Sequence, residues 1–135
     1  MVYAVIDTNI FVSAFITKNA TASTRRVINS LFAGKIKPLY NDEIIEEYSE
    51  VLHRSKFHLA DKDIQRLLYF IQINGIDSSR FPYDGDMPDE DDRVFYEIAL
   101  SEEDSFLVTG NLKHFPKTPK VVTASQMMEI LDYGE

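Results

Sequence analysis

Two rhythms of apolar positions alternate along the chain. Val2–Tyr3–Ala4–Val5–Ile6 is a short, β-branched, almost unbroken apolar run, the pattern of a buried strand. It stops at Asp7–Thr8–Asn9, three residue types that cap helices, and Ile10 to Ile16 then predicts a short apolar helix. Thr21–Ala22–Ser23–Thr24 opens a second helix, with Val27, Ile28, Leu31 and Phe32 at helical spacing and Gly34 as its stop. Lys37–Pro38–Leu39–Tyr40 predicts a second strand, with Pro38 suited to its start or to a sheet edge. Asn41 or Asp42 caps a third helix running to about Arg54. Asp61 caps a fourth, with Ile64, Leu67, Leu68 and Ile71 inward and Gly75 after it.

The second half continues the alternation. Residues 76–81 fit a short strand, ended by Pro82, and Asp84–Gly85–Asp86–Met87–Pro88 is a loop. Asp91 to about Glu103 predicts a fifth helix, Ser105 to Thr109 a buried strand, and Lys120 to Thr123 a last one. Ser125 is the expected cap of a closing helix carrying Met127, Met128, Ile130 and Leu131. Strands alternating with helices, without repeats or a linker, predict an α/β fold with a mainly parallel sheet. At 135 residues the expectation is a single domain over 1–135. Phe11, Phe15, Met127 and Met128 are assigned to the core rather than to a dimer surface.

Composition narrows the chemistry. The absence of Cys excludes disulfides, thiolate metal sites and a Cys nucleophile, and suits a reduced, cytoplasmic setting. No apolar run approaches the ~20 residues that span a bilayer. The first residues show neither a basic start nor a small-residue cleavage site, so no signal peptide is expected. The net charge is −8, and it is uneven: residues 61–135 hold 16 of the 22 acids. Ten lie between Asp84 and Asp104, with Arg93 as the one base among them. Such acidity argues against a polyanion binder that works by counterion release alone, and most of the ten read as a solvated loop and helix face.

Candidate chemistry gathers at strand ends, where open parallel sheets bind ligands. Asp7–Thr8–Asn9 follows the first strand, and Thr109–Gly110–Asn111 follows a later one. On the third helix, Glu43, Glu46 and Glu50 fall roughly 140–160° from the centre of the apolar face, whereas Glu47 falls at about 100°, on its margin. On the fifth helix, Asp92 shares a side with Phe95 and Ala99, and Asp91 with Phe95 and Ile98. His53, His58 and His114 show no metal-ligand spacing and read as surface or supporting groups. Carboxylates in one cleft repel one another unless a cation binds, and hard oxygen ligands suit Mg²⁺ or Mn²⁺. Such a site serves phosphoester hydrolysis. An aspartyl-nucleophile phosphatase would want a second acid two residues beyond Asp7, where Asn9 stands. A phospho-acceptor domain would want a Lys after the later strand, which Thr109–Gly110–Asn111 does not supply.

These segments resemble the PIN-domain ribonucleases, in order, over nearly the whole chain. The carriers are Val5–Ile6–Asp7–Thr8–Asn9–Ile10–Phe11–Val12–Ser13–Ala14, the helix Ile44 to Arg54 around Glu47, Asp89–Glu90–Asp91–Asp92 with the helix after it, and Phe106 to Phe115 around Thr109–Gly110–Asn111. The chain looks most similar to the branch of toxin components of toxin–antitoxin pairs. The resemblance implies a PIN-like three-layer sandwich, with about five mainly parallel strands between helices, and a Mg²⁺- or Mn²⁺-dependent endoribonuclease. It implies Asp7, Glu47 and Asp92 as metal ligands, with Asp91 the alternative to Asp92. Asn111 would hold the fourth position, where many relatives carry Asp. Asn9 and Thr109 would be the hydrogen-bonders behind the ligands, with Ser13 less supported in that part. Candidate RNA contacts are Arg25, Arg26, Arg54 and Lys113, and beyond them Lys18, Lys56 and Lys117. An antitoxin protein, and often a second copy of the chain, are the implied partners; a membrane is not. The alternative is a degenerate PIN-like module that only binds a protein.

Overall fold

The computed structural model describes residues 1–134. Five strands, β1 (Val2–Ile6), β2 (Ile36–Tyr40), β3 (Ile76–Asp77), β4 (Phe106–Val108) and β5 (Val121–Val122), form one all-parallel sheet in the order β3-β2-β1-β4-β5. Six helices flank it: α1 (Thr8–Ile16), α2 (Ser23–Phe32), α3 (Asp42–Leu52), α4 (Asp61–Asn74), α5 (Arg93–Leu100) and α6 (Ala124–Tyr133). This is the expected PIN-like α/β sandwich. Among the described residues no helix is long and apolar enough to cross a membrane.

The order of the strands positions the site. From β1 the chain moves outward through β2 to β3, then returns to the other side of β1 for β4 and β5. The direction of winding therefore reverses between β1 and β4. A crevice opens at such a switch point, beyond the carboxyl ends of the strands. Asp7 directly follows β1 there, and Thr109 directly follows β4.

The core fills around this pair of strands. Ala4, Val5, Ile6, Leu107 and Val108 are fully buried, as expected of strands covered on both faces. Phe11, Met127 and Met128 lie in the core, and Phe15 packs against it. Tyr48 of α3 has no exposed surface to speak of. Its ring meets Phe11 edge-on at 5.0 Å and Phe95 at 6.1 Å, and its hydroxyl donates to the Ile6 carbonyl at 2.5 Å. This bond ties α3 to the end of β1 and thereby sets the next-door residue, Glu47, beside Asp7.

Several boundaries differ from the sequence expectations, each for a local reason. β2 is an interior strand, yet Pro38 sits in its middle, paired with Ala4. It is tolerated because β3 begins only opposite Leu39. Gly75 lets α4 end close against this proline: a Cβ there would stand 2.5 Å from the Pro38 carbonyl oxygen and 2.4 Å from that of Ile71. β3 has two residues instead of the expected stretch 76–81. α5 is shorter at both ends than expected, because Glu90–Asp92 forms a separate 3₁₀ turn and the helix closes at Leu100. α6 is capped by Thr123 and not by Ser125: Thr123 and Gln126 bond each other's backbone N–H in a capping box. Asp61 is the first residue of α4 rather than its cap, and α1 begins at Thr8.

One acid of the charged run falls among the buried residues. Glu97 is buried, accepts from Arg80 Nε at 2.6 Å and from the Tyr83 backbone N–H at 2.8 Å, and so ties the segment before α5 to the domain. Arg93 adds to this by donating to the Tyr83 and Gly85 carbonyls.

Replacing Tyr48 by Phe should leave the buried Ile6 carbonyl without this donor. The expected loss is about 1–3 kcal/mol of stability, read as a lower urea midpoint at unchanged slope. An unchanged midpoint would show that the bond contributes nothing.

Candidate metal-dependent active site

Asp7 is the centre of the site. It is buried at the N-terminal cap position of α1, yet it makes no cap bond; its carboxylate Oδ2 accepts instead from the Thr109 hydroxyl, 2.8 Å away. Thr109, also fully buried, accepts in turn from the Asn111 backbone N–H at 3.1 Å. The two strand ends are thus joined through side chains as well as by the backbone bond from the Asp7 N–H to the Val108 carbonyl.

Glu47 comes from α3. Glu43, Glu46 and Glu50 are exposed, whereas Glu47 is half-buried, as the helical angles require. The Thr8 hydroxyl donates to its Oε2 at 2.5 Å. Asp92 comes from the 3₁₀ turn before α5. Asp91 points to solvent, but the Asp92 side chain is only 15% exposed. Its Oδ2 is buried without a hydrogen bond among the described residues, although His114 Nδ1 lies 3.3 Å away, near but not aligned for donation. Asn111 approaches from the β4 side, with its Nδ2 2.9 Å from His114 Nε2.

The electrostatics show these groups sensing one another. Burial pushes the Asp7 carboxyl above its ordinary value; the Thr109 bond opposes this and the charge of Glu47 adds to it. Burial raises Glu47 too, against the Thr8 bond, with further upward pushes from Asp92 and Asp91. Asp92 is raised to about 6 by burial first and then by Asp7 and Asp89, with His114 pulling the other way. Mutually repelling, desolvated carboxylates are what a divalent cation relieves, and all their donor atoms are hard oxygens. In type and charge the set fits Mg²⁺ or Mn²⁺. In spacing, no three His, Asp or Glu side chains among the described residues stand as a ready-made ion site. Beside the acids lies an open groove of ≈ 440 Å³, lined by Glu43, Glu46, Glu47, Glu50, Glu90 and Asp91, with Arg80 as its cation.

The supporting residues differ in part from expectation. Asn9, expected to hydrogen-bond within the site, is exposed and makes no side-chain hydrogen bond among the described residues. As the second residue of α1 it is turned away from Asp7. The hydroxyl that reaches an acid of the site is that of Thr8. Ser13 faces α2, with its hydroxyl 3.1 Å from that of Thr24. Thr8, named in the sequence only as part of its triplet, and His114, read there as a surface or supporting group, are further functional candidates. His114 stands three residues after Asn111, a spacing that one 3₁₀ turn brings onto a common side. Of the basic residues, Arg25 is bound to the Ala14 and Thr17 carbonyls. Arg26 pairs with Asp132 at 3.9 Å and Arg54 with Glu50 at 3.0 Å. Lys113 is exposed, next to His114.

A comparison with known families matches residues 3–113 to the model described as PIN domain. No curated protein and no solved structure matches the chain.

A raised carboxyl pKa has a sign that stability can test. Between the ordinary value of 3.8 and about 6, the folded chain keeps an Asp92 proton that the unfolded chain has released, so stability falls as pH rises through that window. Asp92→Asn should therefore flatten the pH dependence in EDTA and stabilise the protein at pH 7 by roughly 1 kcal/mol after solvent screening. Thermal unfolding at pH 4.5 and pH 7 measures it. The same pH slope in both proteins would contradict the shift.

Proposed function

The chain belongs to the PIN-domain family, and on that premise we propose that it is a Mg²⁺- or Mn²⁺-dependent endoribonuclease, acting in the cytoplasm as the toxin of a toxin–antitoxin pair. The observation that carries the reading is the buried Asp7 at the switch point of the sheet. Glu47 and Asp92 bear on it electrostatically, and Asn111 is joined to it through Thr109. PIN domains are generally metal-dependent nucleases, and this constellation supplies the oxygen donors that such chemistry uses.

In this reading Asp7, Glu47 and Asp92 hold the metal, and Asn111 offers a neutral oxygen. The bound ion would activate a water and offset charge on the scissile phosphate. The chain's own residues prepare the site. Thr109 holds one oxygen of Asp7, so the carboxylate enters the crevice in a fixed orientation. Thr8 holds Glu47 in the same way. In the metal-free chain the raised Asp92 is half-protonated near pH 6, so at subsaturating Mg²⁺ or Mn²⁺ activity should climb from pH 5 to pH 7 as the proton stops competing with the ion.

The acidic groove repels bare RNA, so its approach needs cations. Lys113 beside the site is the nearest candidate; Arg80 in the groove wall is paired with Glu43 and Glu97, and Arg25, Arg26 and Arg54 are further supports. An antitoxin protein would act by covering the crevice, and pairing with a second copy of this chain is part of the same proposal.

The direct test is cleavage of a mixed RNA pool with Mg²⁺, Mn²⁺ or EDTA. Cleavage should require the ion, and Asp7→Ala should lower the rate roughly a hundredfold or more, with circular dichroism unchanged. Full activity in the variant would refute the assignment of Asp7. No cutting and no metal-induced stabilisation of the native chain would favour a protein-binding module instead.

A further inference from the structure

The geometry points to His114 as a positioning residue that turns the Asn111 side chain so that its oxygen is the atom left free for the site. This deepens the nuclease reading and rests on it. The assignment rests on the turn after β4. Leu112–His114 is a 3₁₀ turn, closed by a bond from the His114 N–H to the Asn111 carbonyl at 3.1 Å, so the two side chains have a fixed relation. Asn111 Nδ2 lies 2.9 Å from His114 Nε2. An amide nitrogen only donates, so Nε2 accepts and the neutral imidazole carries its proton on Nδ1. That proton lies on the Asp92 side of the ring: Oδ2, buried without a hydrogen bond among the described residues, is 3.3 Å from Nδ1, near the N–H though not aligned with it. The opposite amide orientation would need a proton on Nε2, and in a neutral ring it would set the Nδ1 lone pair against the Asp92 carboxylate. The arrangement in the structure gives the Asn111 amide its acceptor and turns the N–H side of the ring, rather than a lone pair, toward Asp92.

The consequence falls on Asn111. With its NH₂ group taken by His114 and its backbone N–H bound to Thr109, Oδ1 makes no hydrogen bond among the described residues. Asparagine can place either end of its amide toward a cleft, and only the oxygen end binds a cation or accepts from its water. His114 removes that ambiguity. It also stands between Asn111 in the turn after β4 and Asp92 before α5, two segments that no strand pairing joins. Groups that orient ligands in this way commonly contribute 10–100-fold to metal affinity.

Two variants separate this role from packing. Leucine at 114 keeps bulk but has no polar atom; glutamine keeps one acceptor for Asn111 and one donor for Asp92. The His114 side chain is 45% exposed, so neither change should unfold the protein. Calorimetric titration with Mn²⁺ should show binding weakened roughly 10- to 100-fold in His114→Leu and restored to within about fivefold of the native chain in His114→Gln. In the metal-free native protein, long-range ¹H–¹⁵N correlations should show His114 as the Nδ1–H tautomer. A proton on Nε2, native Mn²⁺ affinity in His114→Leu, or a His114→Gln as weak as His114→Leu would each overturn the inference. A native chain that neither binds Mn²⁺ nor cuts RNA would overturn the nuclease reading instead. The tautomer, read without metal, would still decide the hydrogen-bond assignment.

Discussion

A carboxylate buried at the end of a central strand, within the field of other carboxylates, is the constraint around which this molecule is organised. Asp7 sits where burial and Glu47 both oppose its charge. The cost of such a placement is lowered chiefly by one hydroxyl, that of Thr109, with the Thr8 backbone N–H and His114 adding to it. Stability alone would favour an apolar residue in that position. The arrangement makes physical sense as a site kept electrostatically unfinished, in which an added cation would bring the largest gain.

The fold concentrates this strain by bringing four distant segments to one crevice. β1 and β4 deliver Asp7 and Thr109 by adjacency in the sheet. α3 delivers Glu47 through Tyr48, whose hydroxyl is anchored on the last residue of β1. The turn before α5 delivers Asp92, and α5 itself is held by Glu97 and Arg93 against the preceding segment. These anchors hold the acids within one another's electrostatic field despite their repulsion.

Much of this was legible in the chain because the relevant signals are local. The apolar runs of β1 and β4, the polar triplets that end them, and the helical angle of Glu47 all lie within a few residues. They sufficed for the α/β architecture and for the placing of Glu47, rather than Glu43, Glu46 or Glu50, toward the interior. Thr8 and Tyr48 were not legible, because their partners lie 39 and 42 positions away in the sequence. Thr8 also sits inside a triplet that reads equally well as a helix cap, and this is why Asn9 drew attention that the structure gives to its neighbour. His114 was hidden by the absence of any metal-ligand spacing; its meaning comes from a 3₁₀ turn that no apolar rhythm announces. Pro38 misled in the other direction, since its tolerance depends on how short β3 is.

The central claim is that Asp7, Glu47 and Asp92 share one divalent ion. The most direct measurement is the anomalous scattering of Mn²⁺ in crystals of the native protein. The account predicts a single strong peak in the crevice beyond β1 and β4, bounded by Asp7 and Asp92, with the Glu47 carboxylate drawn toward it. A crevice without a peak at millimolar Mn²⁺, or an ion bound only along the outer glutamates of α3, would contradict it.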